Sequence, residues 1–429
     1  MSAFAWVKIR LRVFSCLLVT GLVLSLANSS LAASFWDRFS TPEVHGFLEG
    51  RSGCRTQPDP HEKESSVLET RLQGELSTQA DFVQIKYKGD LWYDGILEQT
   101  LYDTREAWIF LRPATFLDIT AGRQVLTWGT GDLVFLNDLF PKDWQSFFIG
   151  RDTEYLKAPS DSVKISSFSD FLNADFVFTP CFTSDRFITG KYISYWDGAA
   201  GRHAGNESEL NYDTPNQWFT DAEYSARLYQ TVGAYELAGY GYSGFWKNPG
   251  GIASMGEHVF PRLQVYGTSI RGPVAGGIGN IEVAYYNSIE DLAGRDPNIN
   301  NSEVRYLVGF AREIARDLNG SVQYYVEQLL DYQNYRKKFE GSHPRDELRH
   351  VLTLQLTKLL MNQNLELCLA GYWSPSDRDA YLRPKIIYKW TDHLKQEVGA
   401  NIFAGQRDYT MFGQYKADTN VYTALRYSF

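Results

Sequence analysis

The groups in this chain that could carry covalent or metal chemistry are seven histidines, four cysteines and a scatter of serines and carboxylates. A serine hydrolase needs an imidazole within hydrogen-bond reach of the hydroxyl it activates. His350 with Ser374 or Ser376 comes nearest to that requirement, yet nothing in the sequence joins their segments. His61, His203, His258 and His343 fall in stretches without regular pattern and read as solvated loop residues. His203 and Glu207 are the closest metal pair, and a zinc site would need further ligands. Cys54 and Cys181 can bridge only if two loops lean together, Cys368 reads as unpaired, and no Cys-x-x-Cys-His string marks a covalent haem. Gly276-Gly277-Ile278-Gly279 opens no helix, so it is no phosphate loop. The expectation is a protein without enzymatic activity or cofactor.

Charged residues are the larger resource, and their spacing is informative. In Ser66–Ser77, Leu68, Leu72 and Leu76 share one face, while Glu69, Arg71, Gln73 and Glu75 take the other. Asp81–Asp94 sets Val83, Ile85, Tyr87, Leu91 and Tyr93 against Gln84, Lys86, Lys88 and Asp90. Leu382–Trp390 sets Ile386, Tyr388 and Trp390 against Arg383, Lys385 and Lys389. Alternation of this kind marks strands with one apolar and one wet face. Glu69, Arg71, Lys86, Lys88, Asp90, Arg227, Arg305, Arg383, Lys385 and Lys389 are therefore candidates for an aqueous interior. The inward face as a whole sets twelve carboxylates, among them Glu49, Glu75, Glu282 and Glu397, against twelve cations, which leaves two readings open. One is a transverse field across a water-filled pore; the other is a network of cross-strand salt bridges that fills it.

The elements that position these charges are strands almost throughout. Eighteen alternating segments run from 42–52 to 418–429, and the gaps between them alternate long and short. Long gaps include 53–65, 95–103, 127–160, 181–220 and 331–345, while Thr78-Gln79, Pro113-Ala114-Thr115 and Met361-Asn362 are tight turns. The gap at 375–378 is shorter than its place demands. The pattern predicts an all-β fold: a transmembrane, antiparallel, up-and-down β-barrel of about 18 strands, with 16 as the other count. Long outer loops and short periplasmic turns follow from it. In hydrocarbon every backbone N–H and C=O must be paired, and a closed barrel leaves no edge. Aromatic residues are 15% of the chain, an excess that belts of Tyr and Trp at the lipid–water boundaries would use.

The N-terminus reads as an export signal. Lys8, Arg10 and Arg12 precede the apolar run Val13–Ala27, and Ser30 and Ala32 supply the small residues before a cut after Ala32. Residues 1–32 are thus a signal peptide, and 33–429 form one barrel domain. The net charge of −9 argues against a nucleic-acid partner, because a phosphate-binding surface wants clustered Lys and Arg.

In the last strand, Val421, Thr423, Leu425, Tyr427 and Phe429 share a face. This terminal Phe429, with Leu425 and Tyr427 at alternate positions before it, resembles the C-terminal signal of bacterial outer-membrane barrels. The resemblance implies reading by the barrel-assembly machinery. Gly122-Arg123-Gln124-Val125-Leu126-Thr127-Trp128-Gly129, followed by Asn137-Asp138 and Pro141-Lys142-Asp143, looks like a motif of porin-like barrels. Alginate-export barrels carry a similar Gly-Arg-Gln, although no dense arginine ladder is present here. The resemblance implies a porin-like outer-membrane barrel and assigns no substrate; the first reading is a channel for passive passage of small hydrophilic or mildly amphipathic solutes, set in lipid and lipopolysaccharide. Two alternatives stand beside it: a sheath around a separate multihaem cytochrome, and a structural or lipid-handling barrel. Loop 127–160 is too long for a simple connection and rich in Trp, Phe and Leu. It is expected to fold inward and constrict the pore, with Trp128, Asp132, Asp138, Lys142, Asp143 and Arg151 at the constriction.

Overall fold

A computed structural model describes residues 39–253 and 256–429. The expected signal peptide, residues 1–32, lies outside the described residues. Eighteen strands close one antiparallel barrel. They are β1 (Glu43–Arg55), β2 (Ser65–Ala80), β3 (Val83–Asp94), β4 (Gln99–Ala114), β5 (Leu117–Gln124) and β6 (Ser160–Ser167). Next come β7 (Asn173–Thr179), β8 (Glu223–Val232), β9 (Tyr235–Phe245), β10 (Arg262–Val274), β11 (Gly277–Ser288) and β12 (Glu303–Ala315). The last six are β13 (Leu318–Leu329), β14 (Leu348–Leu360), β15 (Leu365–Ser374), β16 (Asp379–Lys389), β17 (Leu394–Gly405) and β18 (Asn420–Ser428). Every strand pairs with its chain neighbours, and β1 closes the ring on β18 in the register Phe47↔Ser428 to Arg55↔Asn420. All 18 segments anticipated from alternation are strands of this ring.

The odd/even assignment holds in three dimensions. On β2, Leu68, Leu72 and Leu76 are exposed on the outside, and Glu69, Arg71 and Gln73 are buried inside. On β18, Val421, Leu425 and Tyr427 face out while Tyr422, Ala424 and Arg426 face in. A continuous apolar outer wall on a ring without edges is the condition for crossing a bilayer with strands. Exposed aromatics divide between the two rims: Tyr93, Tyr285 and Trp373 on the loop side, Trp390 and Tyr427 on the turn side. Closure at the turn side depends on Gly46, which exchanges backbone hydrogen bonds with Phe429 at 3.0 Å. A Cβ at Gly46 would lie 2.7 Å from the Phe429 ring.

One boundary changes the loop pattern. β4 begins at Gln99, because Gln99 to Asp103 continue the ladder opposite Asp90 to Asp94. The second long connection thereby shrinks to 95–98, so strict long/short alternation fails there as well as at 375–378. For the loop side we number loop 1 (56–64), loop 2 (95–98), loop 3 (125–159), loop 4 (180–222) and loop 5 (246–261). Loop 6 (289–302), loop 7 (330–347), loop 8 (375–378) and loop 9 (406–419) complete the rim.

Candidate functional site

Loop 3 leaves the wall at the Gly-Arg-Gln motif. Gly122 has φ +126°, and a Cβ there would overlap the Ala107 carbonyl of β4. Gln124 is buried and donates to the Ser162 carbonyl of β6 at 3.1 Å. The loop then turns into the barrel. Leu133, Leu136, Phe147, Phe148, Ile149 and Leu156 join a core cluster with wall residues Tyr325, Val351, Tyr372, Tyr381 and Phe403. Apolar side chains that cannot face water have moved from the rim to the lumen, where the wall supplies partners.

The fold of the loop is local chemistry. Asp143 caps the helix Trp144–Ile149 by accepting from Ser146 N at 2.7 Å. Gly150 ends the helix with φ +89° and lies so close to Tyr422 that a Cβ would sit 2.5 Å from the ring. Asp152 starts the 3-10 turn Thr153–Leu156 by accepting from Glu154 N. Asp138 accepts from Thr127 Oγ1 and pairs with Lys142 at 3.0 Å.

Anchors to the wall run around the ring. Arg51 of β1 donates to the Gly150 carbonyl, and Arg383 of β16 donates to the Arg151 carbonyl at 2.7 Å. Arg151 itself pairs with Glu69 of β2 at 3.0 Å. Arg105 of β4 donates to the carbonyls of Glu154 and Lys157. On the far wall Glu282 of β11 accepts from Thr130 Oγ1 at 2.6 Å and Asn137 Nδ2 at 2.8 Å. Gln323 of β13 accepts from the amides of Asp132 and Leu133, and Tyr372 of β15 donates to the Leu133 carbonyl. The loop thus crosses the lumen and is tied down on opposite sides.

The residues expected at a constriction divide between two situations. Asp138, Lys142, Asp143 and Arg151 are buried in caps and ion pairs that shape and anchor the loop. These four do not present free charge to water. Asp132 is exposed, and Trp128 is half-buried edge-on to Phe140. The ten lumen candidates are on inward positions, with different surroundings. Glu69, Arg71 and Asp90 are buried together, Arg71 pairing with Asp90 at 2.9 Å and Glu69 at 3.2 Å. Lys86 pairs with Glu75 and Glu106, and Lys88 with Glu154. Arg227 pairs with Glu236 at 2.7 Å, and Arg305 with Glu303. Arg383 is buried against Phe147 with its guanidinium 4.5 Å from the ring. Lys385 is half-buried, and Lys389 stands exposed at the turn-side end of β16. The balance between the two electrostatic readings falls to salt bridges on this geometry, because most interior charges already face a partner.

Chemistry elsewhere gives way to structure. The hydroxyls of Ser374 and Ser376 engage the His350 backbone, whereas its ring bonds Tyr324 through Nδ1 at 2.7 Å. His61, rather than His203, pairs with Glu207. No disulfide joins Cys54 to Cys181.

Sequence reasoning missed what loops 4 and 9 bring to the lumen: Tyr192, Ile193 and Tyr195 from the first, Phe412 and Tyr415 from the second. Their signal was the aromatic density of those loops, the same signal that singled out loop 3. Phe187 and Ile188 of loop 4 and Met411, Phe412 and Tyr415 of loop 9 line, with loop 3 and the β12–β15 wall, a cavity of about 330 Å³.

No protein-family model matches the chain, and no curated protein matches it in sequence. Solved structures match in fold. Pseudomonas aeruginosa OccK11 (OpdR) is 9% identical with a TM-score of 0.52, over 90% of this chain and 95% of that one. Acinetobacter baumannii OccAB3 is 10% identical with a TM-score of 0.51, over 90% and 99%. Pseudomonas aeruginosa OprD is 9% identical with a TM-score of 0.51, over 90% and 95%.

Proposed function

The fold is that of a bacterial outer-membrane porin-like barrel, and from it we propose a passive channel for small hydrophilic or mildly amphipathic solutes. The observation that carries the reading is the seat of loop 3. Its ties to β1, β2, β4, β11, β13, β15 and β16 hold a fixed obstruction across an otherwise wide ring. In this reading loop 3 sets the size limit, the long loops face the cell exterior, and the turns face the periplasm. Lipid and lipopolysaccharide surround the wall, and Leu425, Tyr427 and Phe429 address the chain to the assembly machinery. Paired interior charges predict weak ion selectivity, since most of the charges along the wall already face an opposite one. A sheath for a multihaem cytochrome needs an empty lumen, and here the chain's own loop occupies it.

Planar bilayers test the proposal. Protein that keeps its heat-dependent migration in SDS should insert as small, ohmic, stepwise conductances with a cation-to-anion permeability ratio near one. Insertion without conductance at any voltage would remove the channel reading.

A further inference from the structure

The cavity beside loop 3 has two kinds of wall. One is aromatic, with Phe135, Trp144 and Phe148 from loop 3, Phe187 from loop 4, and Phe412 and Tyr415 from loop 9. The other is the loop-side end of β12–β14, where Arg305, Glu327 and Arg349 line the space.

The charged wall is compensated. Arg305 donates to Glu303 at 2.6 Å, and Arg345 bridges Glu303 at 3.3 Å and Glu327 at 2.5 Å. Arg349 donates to Asp377 at 2.7 Å. Three guanidiniums therefore face three carboxylates. A guanidinium carries five N–H donors, more than these pairs consume, so the wall still offers hydrogen bonds. The side chains of Arg305 and Arg349 are each 20% exposed, which leaves their heads within reach of a solute. A solute with a net charge would have to shed water there without meeting an uncompensated counter-charge.

We infer that this cavity is a binding station for uncharged aromatic solutes that carry a hydroxyl or amide group. The ring stacks among the loop aromatics, and the polar group meets the paired arginines and Glu327. Rings gain from area and from edge or face contacts with aromatic side chains. The volume lies at the small end of the range for ligand pockets, which suits a solute of one or two rings. The station rests on the channel reading for its purpose in transport, but not for its binding.

Three probes with one ring system separate the possibilities: 2-naphthalenemethanol, 2-naphthoate and 2-naphthylmethylammonium. Binding to the full mature chain in nanodiscs is read by saturation-transfer NMR, with Val351→Trp, which fills the cavity, supplying the lipid background. The alcohol should bind at least ten-fold more tightly than either ion, and V351W should lose that signal. Glu327→Gln keeps the shape of the wall and leaves one cation in excess, so naphthoate should gain at least ten-fold on the alcohol. Equal binding of all three probes to the wild-type protein, or an E327Q protein with the wild-type order, would overturn the assignment. Bilayer recordings on the same protein judge the channel separately: binding without conductance supports the station and removes the channel.

Discussion

Replacing residues 130–157 with a short Gly/Ser link should raise single-channel conductance several-fold while the barrel still assembles. The link is feasible because β5 and β6 are neighbours, with Gln124 opposite Ser160. The size of the effect follows from geometry. Eighteen strands about 4.8 Å apart and tilted about 40° make a ring about 36 Å across between backbones. Inward side chains of about 6 Å on each side leave a lumen roughly 24 Å wide, or about 450 Å². A crossing band about 11 Å wide, the width of a helix with its side chains, removes roughly 260 Å² of that. Loop 3 alone therefore takes more than half the section, and the aromatics of loops 4 and 9 take more. The ladder hydrogen bonds lie outside the replaced segment, so the closed ring should keep its resistance to SDS at room temperature. The assay is conductance in planar bilayers, wild type beside replacement, on protein whose migration shifts only after boiling. A correctly folded replacement with unchanged conductance would refute the idea that loop 3 limits the passage.

Changing Phe429 to a charged residue should lower outer-membrane yield in cells far more than refolding yield in detergent; equal yields in cells would defeat the role proposed for the terminal strand. Gly150→Ala should loosen loop 3, since a positive φ costs about 1 kcal/mol and the clash with Tyr422 about 1–3 kcal/mol more. Hydrogen exchange should quicken in 143–157 and not in β17 or β18, and unchanged exchange in the loop counts against the clash. Loops 1, 4 and 9 meet where Asp59 and Asp418 both accept from Ser194 Oγ, with Arg55 paired to Asp418 at 2.9 Å. Burial raises the carboxyl of Asp418 to about 7 and that of nearby Glu62 to about 8, against the opposing pull of Arg55. The folded cluster thus binds more protons than the unfolded chain between roughly pH 4 and 8, so its stability falls as pH rises through that window. Protease nicking of loops 1 and 4 should be faster at pH 8.5 than at pH 5.5, and the reverse order would contradict the assignment.

The sequence by itself determined the ring. Alternation is a local property: once Leu68, Leu72 and Leu76 share a face, Glu69, Arg71 and Gln73 must share the other, whatever the rest of the chain does. The strand number, the direction of each side chain, and the division of aromatics between two rims are all sums of such local facts. Where a ladder ran beyond its alternation, as at Gln99 to Asp103, the boundary was set by the partner strand instead. Tertiary structure decided what fills the ring. That loop 3 is apolar is legible from its composition; that Arg151 meets Glu69 and that Gly150 rests on Tyr422 is not. These partners are distant in the chain and lie in or beside a segment with no repeating period. The same holds for Arg345, which balances Glu327, and for the aromatics of loops 4 and 9. Side chains at the strand positions inherit their direction from the pleat, whereas a loop inherits its path only from the surfaces it finds when the barrel has closed.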